Sequence, residues 1–128
     1  MRSASKELQY RKSKTTVSVS LAKPVALTDV FTLVPFTELI SLAGSARLRD
    51  GIVIVGDHEN PMVISVQLQV PQVVELLLRV GDREIKAGQS VLLVSIDVEK
   101  RTEIAVYARA LSGSAVVGVN SYLSIIER

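Results

Sequence analysis

The chain has no cysteine, no tryptophan and a single histidine among its 128 residues. Without cysteine there is no disulfide framework, thiol nucleophile, zinc knuckle or iron–sulfur site. One histidine, His58, cannot make a histidine cluster for a metal. Aromatic residues are scarce at 4%: Tyr10, Phe31, Phe36, Tyr107 and Tyr122. No stretch approaches the roughly 18 apolar residues that span a bilayer. The longest apolar pieces are short, such as Ile52–Val55 and Leu76–Leu78. The N-terminal residues are polar, so neither a secretory leader nor a membrane partner is expected.

Apolar residues make up 48% of the chain and charged residues 22%, the balance of a folded domain rather than a disordered one. The length suits one domain with one core. Valine (20) and isoleucine (9) together outnumber leucine (15) about two to one, which is β-sheet composition with a branched-aliphatic core.

The net charge of +2 hides two unlike parts. Residues 1–14 carry Arg2, Lys6, Arg11, Lys12 and Lys14 against Glu7, a net of +4. Residues 15–128 carry ten basic and twelve acidic residues, a net of −2. The expected organisation is therefore a basic N-terminal arm (1–14) on a β-sandwich domain (15–128). Such an arm suits an acidic protein surface or nucleic acid. Tyr10 beside Arg11, Lys12 and Lys14 is the one basic-aromatic neighbourhood. A single arm is not the groove that specific nucleic-acid recognition needs, so that partner is not expected.

Along the body the dominant period is two, the mark of half-buried strands. Val17, Val19 and Leu21 alternate with serines. Ile64, Val66, Leu68 and Val70 alternate with Ser65, Gln67 and Gln69 in Met62–Val70. Further strands are expected over Val73–Val80, Ser90–Val98, Thr102–Leu111 and Ala115–Ile126. Shorter ones are expected over Val30–Val34, Leu39–Ala43 and Arg47–Val55. Turn signals such as Gly56–Pro61, Gly81-Asp82, Ala87-Gly88 and Ser112–Ser114 separate them. The one helical hint, a turn within Ser3–Lys12, has only Leu8 and Tyr10 to bury. Eight or nine short strands predict an all-β, two-sheet antiparallel sandwich of jelly-roll type, with an immunoglobulin-like sandwich second.

The strand faces that should be polar in a lone monomer carry Leu77, Val91, Leu93, Tyr107, Val116, Tyr122 and Ile126. Val119, by contrast, is expected on the core side. Seven outward apolar residues in the later strands predict a subunit interface. The alternative is cover by loops or by the arm. No catalytic arrangement stands against this reading. Asp57, His58 and Glu59 could ligate a metal or exchange protons, but adjacent loop residues rarely converge on one atom. They read better as a polar connection between sheets, and Asp50 as a turn residue. There is no nucleophile elbow, P-loop or dinucleotide fingerprint, and neither enzyme activity nor a cofactor is expected.

The order of segments carries a resemblance. Val17-Ser-Val-Ser-Leu-Ala-Lys-Pro-Val-Ala-Leu-Thr-Asp is followed by short apolar strands and then Val74-Glu-Leu-Leu-Leu-Arg-Val-Gly-Asp. A Gly88–Ile96 strand and Thr102-Glu-Ile-Ala-Val-Tyr-Ala-Arg-Ala come next, and Asn120-Ser-Tyr-Leu-Ser-Ile-Ile closes the chain. Over residues 15–128 this pattern resembles the small trimeric jelly-roll domains of tailed-phage virion proteins, similar in architecture to the C1q and tumour-necrosis-factor family. The resemblance implies a homotrimer packed through its outward apolar faces and no catalytic residues. The chain departs from that superfamily's extracellular members in offering few aromatics, mainly Tyr107 and Tyr122.

The expected function is thus that of a capsid decoration protein of a bacteriophage, a virion component made in the host cytoplasm. Its arm (Arg2, Lys6, Tyr10, Arg11, Lys12, Lys14) would dock on the major capsid protein or another virion protein. Fully extended, 14 residues reach about 45 Å. A free-standing chain with a basic arm is expected to suit the capsid better than a fibre. The alternative is a receptor- or carbohydrate-binding module at a tail or fibre tip, with a shallow groove on loops such as Asp57–Asn60 and Ser112–Ser114.

Overall fold

Alternation of apolar and polar residues builds thirteen strands in the computed structural model, which describes residues 14–97 and 101–128. In chain order they are β1 (Thr16–Ser20), β2 (Val25–Leu27), β3 (Thr32–Leu33), β4 (Glu38–Ala43), β5 (Ala46–Arg49), β6 (Ile52–Val55) and β7 (Met62–Gln67). Then follow β8 (Val74–Val80), β9 (Arg83–Ala87), β10 (Val91–Ile96), β11 (Thr102–Ala110), β12 (Ala115–Val117) and β13 (Tyr122–Glu127).

Two sheets face each other. One has five strands in the order β10-β7-β13-β1-β4. The other runs β5-β6-β11-β8-β9, with β3 pairing the far part of β11 beyond β6. Strands β2 and β12 form a small third sheet. All pairings are antiparallel. The first and last strands lie side by side, Thr16 opposite Ile126. The inward residues of both sheets make one core: Phe36, Met62, Ile64, Leu76, Leu78, Ile104, Leu123 and Ile125 are fully buried. The expected sandwich is therefore present.

Several local expectations change. Arg47–Val55 is a hairpin, not one strand. Asp50 (φ 51°) and Gly51 (φ 79°) take the left-handed conformations of a tight two-residue turn. Ala115–Ile126 divides into β12 and β13, because Ser121 folds back to Gly118: its N–H and its hydroxyl both donate to the Gly118 carbonyl. Val119 sits in that turn, 41% exposed instead of in the core. The turn expected within Ser3–Lys12 lies outside the described residues.

Candidate functional site

Register decides which outward residues share a surface. On the non-core face of the five-stranded sheet, four adjacent strands align in three rows. Val91, Gln67, Tyr122 and Ser20 form the first, and Leu93, Ser65, Ser124 and Ser18 the second. Ser95, Val63, Ile126 and Thr16 form the third. None of these twelve side chains is charged. Leu93 is 70% exposed, Ile126 50% and Val91 44%. Beside them, on β4, Ile40 is 63% exposed. Serines fill the middle of the face. The Tyr122 hydroxyl donates to Gln67 Oε1 at 2.9 Å, so its polar tip is satisfied within the sheet. A shallow depression of about 370 Å³ lies where Ser18, Ser20, Ile40, Val119 and Tyr122 meet.

The opposite outer face has the other character. The six-stranded sheet presents Arg47, Arg49, Glu75, Arg79, Glu84, Lys86, Glu103 and Arg109. Arg79 donates to Glu84 at 2.8 Å and Arg109 to Glu75 at 2.8 Å. The Arg79 guanidinium lies 5.1 Å from the Tyr107 ring centre, and Lys86 and Arg109 flank Phe31 at 5.8 and 5.2 Å. Long charged side chains thus cover the apolar residues of this face with their stems.

The seven residues expected at one interface therefore lie on three surfaces. Val91, Leu93, Tyr122 and Ile126 come together on the uncharged face. Val116 is on the small β2–β12 sheet, where it is exposed. Leu77 and Tyr107 pair across the charged face. Leu77 is buried, with 6% exposure, between Tyr107 and Lys86 on the neighbouring strands. Expecting it exposed was wrong because residues distant in sequence cover it. Ile40 was missed, and its signal was present: β4 carries Leu39, Ile40 and Leu42 with no charge between them, and all six of its residues are exposed. Of the expected arm, Lys14 is described and is exposed. Arg2, Lys6, Tyr10, Arg11 and Lys12 lie outside the described residues.

The body begins with a tightly held residue. Thr15 is 1% exposed. Its N–H donates to Glu127 Oε1 at 3.0 Å, and its carbonyl accepts from Glu127 N at 2.8 Å. Its hydroxyl accepts from Ser45 N at 3.2 Å. Gly44 (φ +81°) closes the other side, where a Cβ would stand 2.6 Å from Thr15 Cα. Asn60 Nδ2 donates to Glu127 Oε2 at 3.1 Å. Burial pushes the Glu127 carboxyl up, but donation from Thr15, Asn60 and Glu59, with His58 nearby, outweighs it and holds the carboxyl below its ordinary value.

His58 itself is buried, with Nδ1 3.1 Å from the Gly56 carbonyl and Nε2 without a partner among the described residues. Asp57 Oδ1 instead accepts from Arg101 N, and Glu59 is exposed. The three adjacent side chains do not converge. Among the described residues no three His, Asp or Glu side chains are placed to hold a metal, and no helix is long and apolar enough to cross a membrane. The Asp57–Asn60 and Ser112–Ser114 loops lie at opposite ends of β11. Nine residues of strand, about 30 Å, separate them, so they do not line one groove.

No protein-family model matches the chain, and no curated protein matches it. Among solved structures it is similar to Eiger TNF from S. frugiperda, with a TM-score of 0.63 and 12% identity. That match covers 90% of this chain and 91% of the other. At such low identity the likeness concerns the fold, and what it establishes is that this chain is an all-β antiparallel sandwich with a jelly roll of the tumour-necrosis-factor type.

Proposed function

We propose that the chain is an assembly module: a jelly roll that packs the outer face of its five-stranded sheet against copies of itself around a threefold axis. The observation that carries this reading is the contrast between the two outer faces. One is charged and covers its own apolar residues. The other has twelve aligned positions without a charge and leaves Leu93, Ile126 and Val91 open. Depletion of charge around exposed apolar residues is the mark of an interface core. The threefold symmetry follows the sequence resemblance to trimeric jelly-roll domains.

Within that reading the trimer decorates the surface of a larger particle, a tailed-phage capsid, to which the basic N-terminal segment docks. The supports are the order of segments and the separation of a +4 segment from a −2 body. Light scattering of the purified chain should give three times the 13.9 kDa monomer mass, and Leu93→Glu should reduce it to one. A wild-type monomer at micromolar concentration overturns the assembly. Undecorated capsids should bind the wild-type chain and not the Arg11→Glu/Lys12→Glu variant. Equal binding removes the docking role.

A further inference from the structure

The charged outer face is covered by its own long side chains except at one place. Ala105 stands on β11, the middle strand of the six-stranded sheet, opposite Arg79 on β8. Its methyl group is too short to fill the row, and it lies 5% exposed below its longer neighbours. Gly81, whose N–H donates to the Glu103 carbonyl at 2.9 Å, adds no side chain beside it. A φ of 59° keeps that position for glycine. The result is a depression of about 470 Å³. Ile52, Ala105 and Tyr107 give it apolar lining, and Arg79, Arg101, Asp82 and Glu103 surround them.

These charges are not equally free. Arg79 donates to Glu84 at 2.8 Å and lies over the Tyr107 ring. Arg101, Asp82 and Glu103 are exposed, and among the described residues none of the three makes an ion pair. One guanidinium and two carboxylates thus border a single apolar floor without neutralising each other. The face around them presents five basic residues (Arg47, Arg49, Arg79, Lys86, Arg109) and three acidic ones (Glu75, Glu84, Glu103), a net of +2. Such an excess draws anions toward it.

We infer that this depression binds a sugar acid, one uronate ring of an acidic glycan. Each part of that ring meets a matching group. Its carboxylate pairs with the Arg101 guanidinium, whose planar fork takes a carboxylate in two parallel hydrogen bonds. Its hydroxyls donate to the carboxylates of Asp82 and Glu103. Its C–H face covers Ile52 and Ala105, which removes apolar surface from water. A bare anion uses the guanidinium alone and meets repulsion from both carboxylates. A neutral sugar leaves Arg101 unpaired. The site lies within one subunit, on the outer face that the proposed assembly leaves open, and does not depend on that assembly.

The amides of Ala105 and Gly81 report on the site directly. In the full-length ¹⁵N-labelled chain, methyl β-D-glucuronide should shift both resonances saturably, with a Kd of ~1 mM as befits one ring in an open site. Methyl β-D-glucoside has a hydroxymethyl group where the glucuronide has its carboxylate. It should bind at least ~10-fold more weakly, the loss of a charge-assisted hydrogen-bonded pair. Arg101→Gln alters an exposed side chain and should leave the rest of the spectrum unchanged while reducing the glucuronide to the level of the glucoside. Glu103→Gln should weaken both sugars. Shifts that do not saturate, or that centre away from Ala105, overturn the site. Equal binding of the two sugars, or unchanged glucuronide affinity in Arg101→Gln, overturns the carboxylate pairing. Inorganic phosphate binding at Ala105 as tightly as the glucuronide overturns the sugar in favour of a plain anion.

Discussion

Glu127 is a buried carboxylate that joins the two ends of the body, and its surroundings set a pH dependence. Its folded-state pKa lies below the unfolded one. Its contribution to stability is therefore complete above the ordinary glutamate value of about 4.3, and is lost as the pH falls through the depressed folded value. Glu127→Gln keeps one acceptor but turns an amide donor toward Thr15 or Asn60. It should cost about 1–2 kcal/mol at neutral pH. Urea midpoints of wild type and variant should converge in acid. Gly44→Ala forces a side chain into a left-handed backbone and against Thr15. It should cost at least about 2 kcal/mol in the same measurement. Two leucines separate folding from assembly. Leu77→Ala should cost about 2–4 kcal/mol and leave the oligomer intact, because the side chain is buried within one subunit. Leu93→Ala should change subunit stability by less than about 0.5 kcal/mol and weaken the oligomer, as equilibrium sedimentation will read.

At the scale of the element, the legible strands were those whose core face is continuous. Met62–Gln67, Val74–Val80 and Thr102–Ala110 alternate so regularly that pattern alone places them. Arg83–Ala87 was missed because an edge strand needs little burial: Arg83, Glu84 and Lys86 are exposed and only Ile85 packs against the core. Val25–Leu27 was missed because three residues carry no period. The candidate face was half legible. Alternation showed that Val91, Leu93, Tyr122 and Ile126 point outward. It could not show that they share a sheet, since their pairings join residues far apart in sequence.

The edges of the two sheets differ as their faces do. Charged β5 and β9 border the six-stranded sheet, whereas β4 and β10 border the other with Glu38 as their only charge. Unguarded edges invite strand addition. In the assembly-blocked Leu93→Glu background, the chain should aggregate on prolonged incubation, and Ile40→Lys should slow the growth of thioflavin fluorescence.

At the scale of the molecule, nearly every sheet neighbour is remote in sequence, with β1 beside β13 as the extreme case. Closing such loops before any reward slows folding. Refolding of the subunit should take milliseconds to seconds, faster than any assembly step that depends on concentration, and stopped-flow tyrosine fluorescence can time it.

The inner seat of β1, one strand in from the edge of its sheet, has a mechanical meaning. The strand lies between β13 and β4, antiparallel to both, and the segment before it enters through Thr15. Tension applied through that segment runs along β1 and loads its two ladders in shear. The hydrogen bonds of both sides resist together instead of opening one by one. If the N-terminal segment is the tether, the subunit meets the pull along its strongest direction.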